Sequence, residues 1–278
     1  MAVYTTTTNV NALLPDEYGP LVVQPALAQS VFAMAATTVT TSATEYRIPI
    51  VSADPTASWV AEGAEITPSD PTLQELTVTP PKIAGLTIIS RELADDSNPA
   101  AAQVVGDGLA RDIARRIDQA VFAGLASPAP AGLSTLSGVQ TYVNAGAFGN
   151  LDFAAEAISK AETVGATVTA FVTSPATALA LAKIKQSTGS NQPVLGMDAT
   201  AATSRQILGV PVYVSQYVAA NTLWALDSSR VWLVVRDDAT VEADRSVFFT
   251  SDRVAVKATM RAGFGFVHPQ SVVKVTIA

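Results

Sequence analysis

YRIPIVSADPTASWVAEGAEITPSDPTLQELTVTPPKIAGLTIISRELADDS, residues 46–97, decides how the rest of this chain reads. Two strand-like runs, Tyr46 to Val51 and Leu73 to Ser90, flank about twenty residues rich in Pro, Gly, Ser and acids. That linking stretch carries little apolar mass to bury. A two-stranded ribbon without a third layer is marginal in water, so this one must lie on something else. The remaining sequence offers no obvious cover, and a neighbouring copy of the same chain is the expected one. Self-assembly is therefore the first expectation.

Composition points the same way. The 278 residues are 49% hydrophobic and only 15% charged. Such a chain has either a large interior or surface hidden in contacts with partners, and its length suits one or two domains. A net charge of −7 with no basic tail argues against tight nucleic-acid binding, although merely enclosing nucleic acid is compatible with it. The absence of cysteine excludes disulfides, thiolate metal sites and Cys nucleophiles. MAVYTTTTNVNALLPDEYG at the start lacks the basic and apolar regions of a signal peptide. VFAMAATTV (31–39) is too short to span a bilayer. A soluble cytosolic protein with no membrane partner is expected.

Outward from the decisive stretch, residues 1 to about 19 read as an extended arm, broken by Pro15 and Gly19. Pro25 to Ala36 reads as a short helix with Leu27, Val31 and Met34 on one face. Asp96, Ser97 or Asn98, followed by Pro99, is a helix start signal. The helix it opens should run to about Leu125, roughly 40 Å at 1.5 Å per residue. Val105, Leu109, Ile113, Ile117 and Val121 mark its apolar face, and Asp107, Arg111, Arg115 and Asp118 another. Gly106 and Gly108 within it suggest a bend or a close backbone approach. Residues 126–150 read as a Pro- and Gly-rich connection. An α/β lobe follows: helix from the cap Asp152 to Val164, strand 168–172, helix from Ser174–Pro175 to Gln186, a loop 187–202, and strands 210–214, 222–226 and 231–235. Residues 241–277 are almost all strand-like, with Arg253, Lys257 and Arg261 alternating against Val254, Val256, Ala258 and Met260.

Catalytic signals are poor. The single histidine, His268, has no nucleophile elbow to serve. There is no phosphate loop and no H-E-x-x-H, and Gly106-x-Gly108 lies inside a helix, where it is no dinucleotide fingerprint. Asp95–Asp96 fits a helix N-terminus and Asp237–Asp238 a turn. No cofactor, metal or catalytic residue is expected. The more telling electrostatic feature is the acidic ribbon: Asp54, Glu62, Glu65, Asp70 and Glu75 lie between Ile48 and Pro81 with no Lys or Arg among them. Charge that merely keeps a loop in solution is one reading. The other is a fit against basic residues of another copy, either Arg111, Arg115 and Arg116 or the Arg253, Lys257 and Arg261 stripe, with Trp59 as the apolar anchor. Exposed ion pairs each contribute only about 0–1 kcal/mol, so many weak contacts would set the geometry.

WVAEG (59–63), PSD (68–70), ISREL (89–93) with DDS (95–97), LARDIA (109–114), DQAVFAG (118–124), ILGVPV (207–212) and DRVAV (252–256), then Arg261 and Pro269, resemble in order the tailed-phage major capsid proteins of the Hong Kong 97 fold. The resemblance covers nearly the whole chain. It implies an α+β fold with an N-terminal arm and short helix (1–45), an extended β-hairpin loop (46–97), a spine helix and connection (98–150), an axial α/β domain (151–236) and peripheral strands (237–278). It also implies icosahedral shells of hexamers and pentamers, in which the loop overlies an adjacent subunit. Scaffolding, portal and decoration proteins are implied partners, with double-stranded DNA enclosed without sequence-specific contacts and assembly in the host cytoplasm. The covalent Lys–Asn link of the best-known member is not expected, since no Lys lies between Arg47 and Lys82. Two alternatives remain open: an encapsulin-type compartment around cargo enzymes, and an enzyme with an unfamiliar carboxylate site.

Overall fold

The helical periodicity between Val105 and Val121 materialises in the computed structural model, which describes residues 30–63, 65–92, 101–187, 189–195, 205–244 and 246–277. Four α-helices are named here in chain order: α1 (Val31–Ala35), α2 (Ala101–Phe122), α3 (Asp152–Thr163) and α4 (Pro175–Ala182). Ile113, Ile117 and Val121 of α2 are buried, while Asp107, Arg111 and Arg115 are exposed. Asp118 departs from its expected place with the polar face and is buried. The helix ends at Phe122, three residues before the expected Leu125, because Gly124 (φ +72°) turns the chain in the left-handed conformation that closes many helices. The expected start signal at 96–99 lies outside the described residues.

The apolar stripe of α2 covers one face of a four-stranded sheet in the order β1-β10-β11-β4. Its strands are β1 (Thr37–Thr41), β4 (Lys82–Ser90), β10 (Val231–Asp244) and β11 (Arg253–Phe266). The alternation read from β11 is present: Val254, Val256, Ala258 and Met260 are buried towards α2, and Arg253 and Lys257 are exposed on the opposite face. β1 and β4 are the sheet's edges.

β2 (Tyr46–Ala53) and β3 (Thr72–Val78) form a separate antiparallel ribbon. The second expected run, 73–90, is therefore cut in two. Pro80 and Pro81 have no N–H to donate, and a residue preceding proline is held extended. The ladder with β2 stops at Val78 and the chain re-enters the main sheet as β4, paired with β11. A second correction concerns cover. Ile48 and Val78 at the ribbon's root are buried against Val234, on the face of the sheet opposite α2. Each such burial contributes about 1.5–3 kcal/mol. The approach is close because β11 carries glycine beneath it: a Cβ on Gly263 or Gly265 would collide with Val78 or crowd Ile48. Beyond the root, every described residue from Asp54 to Pro71 is exposed.

A six-stranded sheet, ordered β5-β12-β9-β6-β8-β7, makes the second layer system. It comprises β5 (Gln140–Asn144), β6 (Ala170–Thr173), β7 (Gln206–Ile207), β8 (Val210–Val214), β9 (Thr222–Leu226) and β12 (Val273–Ile277). Phe153, Ala154, Ala157 and Ala161 of α3 bury against this sheet in a core with Phe171, Leu223 and Val275. Ser174 caps α4 through the Thr177 N–H, with Pro175 opening the helix as read from sequence. α4 stops at Ala182, four residues short of the expected Gln186. β5 arises inside the supposed connection 126–150, and β12 inserts between β5 and β9. The lobe thus draws strands from both sides of residues 151–236, while β10 (Val231–Asp244) belongs to the first sheet. The fold class is α+β.

Candidate functional site

The exposed arm is the part of the molecule whose chemistry its own body leaves unsatisfied. Its two limbs stay together beyond the ladder because Ser69 Oγ both accepts from the Thr56 N–H (2.8 Å) and donates to the Thr56 carbonyl (3.1 Å). Gly63 (φ +79°) turns the tip. Between clasp and turn, Trp59 is fully exposed, and Ile66 is 74% exposed. A bare indole on a thin arm is the kind of anchor that interfaces bury at their centre.

The arm's acids divide in two. Glu75 is 3.4 Å from Arg47 of the same ribbon, so it already has a partner within the arm. Glu62, Glu65 and Asp70 form no ion pair among the described residues. The basic candidates also divide. Arg111, Arg115 and Arg116 are exposed on α2, where Arg116 approaches Asp112 (3.8 Å) and donates to Gln119 Oε1 (3.1 Å). Arg253, Lys257 and Arg261 lie across the sheet from them, and Lys257 holds Glu242 of β10 at 2.6 Å. The two sets occupy opposite surfaces. Register adds Lys82, opposite Arg261, and the exposed Leu86, opposite Lys257, neither of which the sequence reading singled out.

Asp118 is the main residue that reading misplaced. Its carboxylate accepts from Ser30 Oγ (2.7 Å), the Val31 N–H (3.0 Å) and the Phe32 N–H (3.0 Å), tying α1 to α2. Burial pushes its pKa up, against the pull of the Phe32, Ser30 and Val31 hydrogen bonds. Phe32, stacked edge-on to Phe264 (5.3 Å) and Phe122 (6.1 Å), and Ala35 fill the core. Met34, read on one face of the short helix with Leu27 and Val31, is half-exposed, and residues 25–29 of the expected helix lie outside the described residues. A signal existed: Asp118 falls three residues before Val121 and one after Ile117, on the apolar stripe, and Ser30 precedes VFA as a cap should.

His268 lies 3.4 Å from Arg230, and burial together with that guanidinium pushes its pKa down, leaving it neutral at pH 7. Among the described residues no group of three or more His, Cys, Asp or Glu is placed to hold a metal, and no helix is long and apolar enough to cross a membrane.

The sequence model of the phage capsid family matches residues 11–277. The chain belongs to the phage capsid family. Its function is that of a major capsid protein, a structural protein of the virion. Solved capsid structures share its fold. The capsid chain of an empty GTA particle gives a TM-score of 0.73 at 19% identity, with 90% of each chain covered. A chain of Microbacterium phage Oxtober96 gives 0.74 at 20% identity, covering 90% of this chain and 91% of that one. Gordonia phage Cozz gives 0.71 at 15% identity over 100% of this chain and 98% of that one. No curated protein matches the sequence. Nothing in these likenesses favours the encapsulin-type alternative.

Proposed function

We propose that this capsid protein forms the icosahedral shell of a tailed double-stranded DNA phage from hexamers and pentamers, with each arm laid over the adjacent subunit. The observation that carries the arm's role is Trp59, fully exposed on a ribbon that is itself exposed from Asp54 to Pro71. In this reading the ribbon of β2 and β3 is the extended loop and α2 the spine. The six-stranded lobe is the axial domain and the four-stranded sheet the peripheral one. Trp59, Glu62, Glu65 and Asp70 face a neighbour that supplies Arg111, Arg115 and Arg116 or Arg253, Lys257 and Arg261. A closed shell of one repeated contact fits a chain that is 49% hydrophobic yet carries a net charge of −7. The enclosed genome is held without sequence-specific contacts. Scaffolding, portal and decoration proteins are further partners, assembly takes place in the host cytoplasm, and the subunit has no catalytic role.

Electron microscopy of purified wild-type protein and of Trp59→Ala tests this. Wild type gives closed particles with nuclease-protected DNA when expressed in infection, and the variant gives soluble subunits. Normal shells from Trp59→Ala would remove the arm from the contact. A wild type that sediments only as a monomer would remove the shell.

A further inference from the structure

We infer that the groove between α2 and the free edge of β4 receives Trp59 of an adjacent subunit. The inference rests on the arm reading above and names the arm's receptor.

The groove has a volume of about 520 Å³ and is walled by Ile83 and Phe264 of the sheet, Ile113 and Ile117 of α2, and Pro128 and Pro130 of the following loop. It is mostly apolar, as a socket for an indole must be. Arg116 stands on its rim with Asp112 beside it, while Lys82 forms part of the wall through its place in β4, opposite Arg261. The tip that would approach carries Glu62, Glu65 and Asp70 around Trp59, and α2 presents Arg111, Arg115 and Arg116 on the groove's side of the sheet, so charge and shape agree at one place. β4 ends the sheet, and its outer backbone groups can pair with an extended limb of the arm.

The competing surface fits less well. The face bearing Arg253, Lys257 and Arg261 is partly taken up by the arm's own root beside Gly263, with Lys257 already engaged by Glu242 at 2.6 Å. The groove's occupant is also not its own arm. That arm is rooted over Gly263 and Gly265, on the side of the sheet away from α2, and its Trp59 is fully exposed.

The chain has no cysteine, so placed thiols report cleanly. Ala61, two residues beyond Trp59, and Ala126, at the groove, are both exposed. Shells of Ala61→Cys/Ala126→Cys treated with a short bismaleimide should give covalent dimers and a ladder above them. Shells of Ala61→Cys/Lys257→Cys should not. In addition, Ala126→Cys alone should react with maleimide at least tenfold faster in subunits than in shells, and Ala126→Trp should yield folded subunits that do not close. Crosslinking to position 257, with or without position 126, overturns the groove and leaves the arm reading standing. Slow labelling of Ala126→Cys already in subunits means that the chain's own residues fill the groove, and overturns it too. Shells that form from Ala126→Trp do the same. Crosslinking of neither pair in normal shells removes both the groove and the arm contact.

Discussion

Gly263 lies so close beneath Val78 that a Cβ placed on it would come within 2.9 Å of Val78 Cγ1 and 3.1 Å of the Pro80 Cα. The arm's inclination to the body is set at this contact. Gly263→Val should push the root off the sheet and cost about 1–3 kcal/mol, the usual penalty for overpacking. Denaturant titration of the subunit would show it, and an unchanged midpoint would mean that the root has room to spare.

Trp59 should report its own burial. In subunits its indole is in water, so emission is red-shifted; in shells it should shift to the blue. The difference between wild type and Trp59→Phe isolates this signal from Trp224 and Trp232, which the fold already shelters. No shift on assembly would place the indole outside the interface.

Charge reversal tests the acids separately from the indole. Glu62→Lys/Glu65→Lys should lower shell yield while leaving subunit stability within about 0.5 kcal/mol, since exposed positions away from special features are tolerant. At about 1 M salt the Debye length falls to about 3 Å, and wild-type assembly should weaken towards that of the variant. Equal yields at low salt would show that the acids only keep the arm soluble.

Asp118 makes stability depend on pH. Its pKa is raised in the folded chain, so that state keeps the proton to higher pH than the unfolded chain does. The contribution is full below the ordinary carboxylate value and is lost as pH rises through the raised one. Urea titrations from about pH 4 to about pH 7 should show wild type losing stability relative to Asp118→Asn. The opposite trend would contradict a raised value. Asp118→Ala should cost about 1–3 kcal/mol at any pH, because buried donors on Ser30, Val31 and Phe32 lose their acceptor.

Legibility tracked how local the cause was. Ile113, Ile117 and Val121 repeat at helical spacing, and Val254 to Met260 alternates, so α2 and β11 could be read directly. β5 could not: QTYVN is short and becomes a strand only by pairing in parallel with β12, far along the chain. The ribbon's exposure was readable from its composition, but the cover for its root was not. That cover depends on Gly263 and Gly265, which look like weak points in a strand until Val78 is laid across them. Asp118 was grouped with the charged face because its partners, Ser30, Val31 and Phe32, lie nearly ninety positions away. The groove beneath Pro128 and Pro130 is assembled from four separate stretches and leaves no motif.

The place of β12 inside the six-stranded sheet has a consequence for synthesis. Within the sheet β5 pairs only with β12, and β9 has β12 as one of its two neighbours. While a ribosome still holds residues 273–277, the sheet has a gap between β5 and β9 and β5 has no strand partner. A nascent chain therefore cannot present a finished lobe to its neighbours until that strand is in place.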